Sequence, residues 1–237
     1  MNATIPRLIA EIEVYEFWHV SKAKNCHNII LMARPPRIDL GDYVYHIINR
    51  SNGRARIFNT GADYQDFEYL LSEAKEDFAM RILAYVIMPN HWHLLLYPKK
   101  DGDLSKALQW LGTSHARRHH TRKGTVGGGH LYQGRYKSFL VQGDAHLLTV
   151  LKYVERNPVR AKLVSKPEMR KWGSAHRRIN GTVKQKSLLA ELPVDLPRNY
   201  RAWINGSEPS EELGTIRNSL NRGVPYGSVI LPNNIRP

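Results

Sequence analysis

Apolar and polar positions alternate in distinct registers along this chain, and the registers predict most of its elements. Tyr43-Val-Tyr-His-Ile-Ile-Asn49 is β-branched and aromatic, which predicts a strand, and Ser51-Asn-Gly53 follows it as a turn. Phe67, Leu70, Leu71 and Ala74 recur at helical spacing within 63–78, with Asp63 placed to cap near the start. Arg81 to Met88 and His91 to Tyr97 read as two further strands, and Pro89-Asn90 between them predicts a hairpin. Leu104, Ala107, Leu108, Leu111 and His115 line one side of a helix that ends near His120. Five glycines within 124–134 predict a mobile loop. Tyr136 to Gln142 is a fourth strand, and a helix runs from about Ala145 to Arg156, where Pro158 is expected to stop it.

The order over residues 41–160 is β-α-β-β-α-β-α. It predicts an α+β fold of the ferredoxin-like or RRM-like class, an antiparallel sheet with helices on one face. Residues 1–37 show no firm period and are read as an N-terminal extension ended by Arg34-Pro35-Pro36-Arg37. The core domain is expected over 38–178. Residues 179–237 form a C-terminal helical extension, with helices expected at Leu188 to Trp203 and Glu211 to Leu220, that would add DNA or partner contacts.

Charge changes this picture most. The net charge is +14, and between Leu104 and Arg178 sixteen Lys/Arg stand against three Asp/Glu. The remainder is nearly neutral. A basic surface confined to one third of a chain points to a polyanion, and nucleic acid fits better than a membrane because no basic amphipathic helix stands out. No apolar run approaches the eighteen or so residues of a membrane span. The start of the chain carries no basic-then-apolar signal, and Cys26 is the single cysteine, which excludes an internal disulfide and a multi-cysteine zinc site. A cytoplasmic protein without a membrane partner is the expectation.

The candidate chemistry begins at His91-Trp92-His93. In a strand both imidazoles lie on one face and Trp92 on the other, and two converging histidines are the minimum of a divalent-metal site. Taken alone, the pair reads first as one exposed and one hydrogen-bonded core histidine. On the last core helix Leu147, Leu148, Leu151 and Val154 form the apolar stripe, with Tyr153 at its edge and Asn157 one turn on. A helix packed on the sheet would bring that edge to the histidines.

Tyr85-Val-Ile-Met-Pro-Asn-His-Trp-His93, followed some sixty residues later by Tyr153-Val-Glu-Arg-Asn-Pro-Val-Arg160, resembles the single-tyrosine HUH transposases, in the REP-associated tyrosine transposase branch. The resemblance spans about residues 38–178. It implies a metal-dependent DNA endonuclease and strand transferase that acts on single-stranded, hairpin or palindromic-repeat DNA, as a monomer or homodimer. Tyr153 would be the nucleophile, forming a 5′-phosphotyrosine link that conserves the energy of the broken bond. His91 and His93 would hold Mg²⁺ or Mn²⁺, with Asn157 as third ligand where some relatives carry glutamine; two imidazoles suit Mn²⁺ better. The alternative for Asn157 is a helix-ending residue before proline. Tyr136 and Tyr132 are the rival tyrosines, and His46 either approaches the metal or is a hydrogen-bonded sheet histidine.

Arg117, Arg118, Arg122, Lys123, Arg135 and Lys137 are candidate phosphate contacts, and Arg156 and Arg160 flank the tyrosine where they would hold the strand or lower the phenol pKa. Trp92, Tyr132 and Trp172 are candidates for stacking on unpaired bases. Two rival readings remain: a DNA-binding regulator that has lost catalysis, and an RNA-binding module using Tyr43, Tyr45 and Tyr97.

Overall fold

The computed structural model describes residues 38–143 and 145–227, which fall in one compact unit beginning at Arg37. The expectations for residues 1–37 lie outside the described residues. Four strands, β1 (Val44–Arg50), β2 (Arg81–Met88), β3 (His91–Tyr97) and β4 (Lys137–Val141), form one sheet in the order β2-β3-β1-β4. Every pairing is antiparallel. With α1 (Gly61–Asp77), α2 (Asp103–Lys123) and α3 (Ala145–Arg160), this is the α+β arrangement expected from the sequence.

Alternation along the strands divides the core in two. Tyr45, Ile47, Tyr85, Ile87, Trp92, Leu94 and Leu96 pack with Phe67, Leu70 and Leu71 of α1 and Leu104, Ala107 and Leu111 of α2. Val44, Val86, Met88, Leu95, Phe139 and Val141 meet Leu147, Val150, Leu151 and Val154 of α3. Thus only α1 and α2 share one face; the last helix of the order, α3, takes the opposite one, which corrects the expectation of helices on a single face. Thr60 caps α1, and Asp63 completes the capping box from its third position.

Three local expectations are corrected. First, α3 does not stop before Pro158 but continues to Arg160. Proline removes one backbone donor there, and Ala161 N–H on Asn157 O carries the turn on. Second, the end of the glycine loop is anchored: Asn52 N–H donates to Leu131 O, Gln133 N–H to Arg50 O, and Tyr132 is buried. Third, 188–203 is not one helix. After α4 (Ser174–Asn180) and α5 (Val183–Lys186), the chain is irregular until α6 (Tyr200–Asn205) and α7 (Ser210–Arg222).

That irregular stretch rounds the edge of the sheet. Leu188 and Leu189 pack on the α1/α2 core, and Ala190, Leu192, Val194 and Leu196 on the α3 core. Ala190 N–H donates to Ile82 O, and Ile87 N–H to Trp172 O, so the outer edge of β2 is covered. At the other edge, Tyr226 exchanges backbone hydrogen bonds with Leu140 and Gln142 around β4.

Candidate functional site

His91 and His93 stand at the start of β3, a central strand, on the face that α3 covers. Trp92 points into the opposite core, where its indole N–H donates to the Tyr132 hydroxyl. His46 lies on the neighbouring central strand, paired with Leu95 and therefore diagonal to His93. Its Nε2 is 2.9 Å from His93 Nδ1, and the two rings are near-parallel, with centroids 5.0 Å apart and 15° between their planes. His91 Nδ1 is 2.6 Å from Asn90 Oδ1, which as a carbonyl oxygen accepts. Each candidate ligand thus has its Nδ1 engaged.

From the facing helix, Tyr153 sets its ring edge-on to both His46 and His93, with centroids 5.9 and 6.0 Å away. Its hydroxyl makes no hydrogen bond to the described residues. Asn157, one turn further, places Nδ2 3.1 Å from His93 Nε2. Continuation of the helix through Pro158 carries Arg160 back over the tyrosine. Its guanidinium lies 4.1 Å from the ring centroid, and Nη2 donates to the Tyr153 carbonyl. Glu208, between α6 and α7, binds Arg160 Nη1 at 2.7 Å and Arg156 Nε at 3.0 Å.

Burial holds His91 down to about pKa 4 and His93 well below its usual range. For His91 the Arg50 charge acts in the same direction, opposed by the Asn157 hydrogen bond. For His93 the neighbouring imidazoles His46 and His91 add to burial. Both rings are therefore neutral at physiological pH, the form that binds a cation. Two imidazoles, with each ring's Nδ1 engaged elsewhere, and the Asn157 Oδ1 once the amide turns its oxygen toward them in place of Nδ2, fit a divalent-metal donor set. Among the described residues, no group of three His, Cys, Asp or Glu side chains has metal-binding geometry, so the fit depends on Asn157.

Residues 40–157 match the family model of the IS200-like transposases. The chain belongs to that family. Among solved structures, this transposase-family chain is similar to a REP-associated tyrosine transposase bound to a REP hairpin. The identity is 19%, with 70% of this chain and 95% of that one covered, at a TM-score of 0.52. A protein from Deinococcus radiodurans R1 assigned as a transposase matches at 21% identity, 52% and 97% coverage and a TM-score of 0.36. None of the curated proteins matches.

Outside the central cluster, the family member distributes its candidate cations unevenly. Arg118 pairs with Asp66 and Glu73, Arg122 with Asp63 and Asp66, and Lys123 with Asp63. Those three cations knit α2 to α1. Arg117, Arg135 and Lys137 are exposed and have no ion pair among the described residues. The rival tyrosines lie on the wrong face: Tyr136 reaches Ser105 of α2, and Tyr132 joins Trp92 and His115. Trp172 stacks on Tyr64 in the core. Trp92, Tyr132 and Trp172 are thus all buried and not presented to bases. Among the described residues no helix is long and apolar enough to cross a membrane.

Two residues escaped the sequence reading. Asn90 could have been found, because it directly precedes His91 in the hairpin turn. Glu208 carries no local signal at all.

Proposed function

We propose that this transposase-family chain cleaves and rejoins single-stranded or hairpin DNA through Tyr153, in the manner of the REP-associated branch. The observation that carries the reading is the arrival of Tyr153 and Asn157 from α3 onto the sheet face that bears His91 and His93. The shared fold with a protein solved on a REP hairpin supports a folded palindromic substrate.

In the proposed reaction the Tyr153 phenolate oxygen attacks the scissile phosphorus, its proton passing to solvent. The bond from phosphorus to the 3′-oxygen breaks, and that oxygen leaves with the electron pair and takes up a proton. The products are a 5′-phosphotyrosine and a free 3′-hydroxyl, and the reverse attack by a 3′-hydroxyl rejoins the strand. His91, His93 and Asn157 would hold a divalent cation, Mn²⁺ or Mg²⁺, which when bound polarises the phosphate. Arg160 braces the tyrosine by its ring and carbonyl contacts. Arg117, Arg135 and Lys137 supply the exposed positive surface for phosphates.

The test is an end-labelled single-stranded hairpin taken from the flanks of the gene, incubated with Mn²⁺ or Mg²⁺ and resolved in SDS. A covalent adduct on the 5′-end of the downstream fragment is expected, absent in Tyr153→Phe and His91→Ala. Tight hairpin binding with no adduct under either metal would overturn the reading in favour of a regulator.

A further inference from the structure

His46 is fully buried on a central strand, and its Nδ1 has no hydrogen-bond partner among the described residues. Phe139 lies 4.9 Å from its ring and Tyr153 5.9 Å, so no water-rich surface relieves that atom. An unmet buried polar group costs about 1–3 kcal/mol, and a β-branched residue would fill the same position at no such cost. The other nitrogen supplies the reason. Asn157 turns its amide Nδ2 to His93 Nε2, and an amide NH₂ only donates. His93 Nε2 therefore accepts, which puts the His93 proton on Nδ1. That proton is donated to His46 Nε2 across 2.9 Å, and the His46 proton is left on the unpartnered Nδ1. The bonds run in one direction, from Asn157 through His93 to His46.

We infer that His46 is a positioning residue for cation binding: it fixes His93 as the Nδ1–H tautomer and holds its Nε2 lone pair toward Asn157. The inference rests on the reading of His93 as a ligand. Its physical basis is general, since a ligating imidazole is oriented by whatever accepts its second N–H. The small angle of 15° between the ring planes suits an in-plane N–H···N bond between the two imidazoles.

The test compares wild type with His46→Phe, which fills the space without an acceptor, and His46→Gln, whose Oε1 reaches toward the Nε2 position. Long-range ¹H–¹⁵N correlation of the metal-free protein reads the His93 tautomer, assigned by comparison with His93→Gln. Mn²⁺ affinity is read by electron paramagnetic resonance of the free ion, and thermal melting checks the fold. Nδ1–H in wild type, loss of that preference in His46→Phe with Mn²⁺ binding weakened about 10–100-fold, and recovery in His46→Gln are expected. An Nε2–H tautomer in wild type, or unchanged Mn²⁺ affinity in a folded His46→Phe, overturns the inference. Failure of wild type to bind Mn²⁺ counts against the proposed function instead, and the tautomer spectrum still decides the role of His46.

Discussion

At the scale of single residues, the molecule keeps several histidines neutral by burying them. His115 is the clearest case away from the proposed ligands. It packs between Phe58 and Phe67, and its Nδ1 lies 2.6 Å from the Tyr132 hydroxyl. Burial, with the charges of His119 and Arg122 assisting, lowers it to about pKa 3. Because the folded value lies below the unfolded one, the unfolded chain binds the extra proton between roughly pH 6.5 and 3. The stability contribution is therefore complete above pH 6.5 and is lost as the pH falls through that window. The slope reaches about 1.4 kcal/mol per pH unit for one such group. Urea titrations at pH 7, 6 and 5 should show falling stability, and His115→Gln should flatten the curve by up to that slope. An identical pH dependence in the variant would refute this account.

At the scale of elements, the ion pairs between α1 and α2 separate cations that hold the fold from cations that face solvent. Asp63 is buried, which alone would raise its carboxyl pKa. The Thr60 and Asn59 backbone donors and the Arg122 and Lys123 charges outweigh that and hold it below the usual range. Replacing Asp63 with alanine removes the capping box and leaves Arg122 short of a partner, a loss of about 1–3 kcal/mol by denaturant unfolding. Arg122→Ala should likewise cost stability. The combined variant Arg135→Ala with Lys137→Ala should melt like wild type and bind hairpin DNA more weakly. Its salt slope of binding should fall by about 0.7–0.9 for each phosphate that is no longer neutralised. A full salt slope in that variant would place the DNA elsewhere. Sequence alone could not make this separation, because a helix end rich in arginine reads the same whether its charges face water or Asp66. Strands β2 and β3 were legible to the residue, since alternation and the Pro89-Asn90 turn agree there. The stretch 188–203 was not legible. Its leucines serve two cores on opposite faces of the sheet, so they follow neither the helical nor the strand period, and Pro193 and Pro197 interrupt it.

At the scale of the whole molecule, the C-terminal extension packs on both cores of the sheet and its tip reaches the candidate site. It covers β2 through Ala190 and β4 through Tyr226. Buried Glu155 of α3 is held by Ser174 at 2.6 Å and by the Tyr200 hydroxyl at 2.5 Å. Glu208 then sits, its side chain only 6% exposed, between Arg156 and Arg160. The contact couples the extension to Tyr153, because the guanidinium that Glu208 holds is the one lying over the tyrosine ring. Removing one partner of a mostly buried ion pair leaves uncompensated charge, at a cost of about 3 kcal/mol. Glu208→Ala should therefore lose roughly that much stability in urea. Its yield of Tyr153–DNA adduct should also fall under conditions where the protein remains folded, because Arg160 is released from its bracing position. Glu208→Gln keeps an acceptor for one guanidinium and should fall between the two. Unchanged stability would show that the ion pairs are inert. A higher adduct yield would mean that the carboxylate competes with DNA phosphate for Arg160 and restrains the site until DNA displaces it.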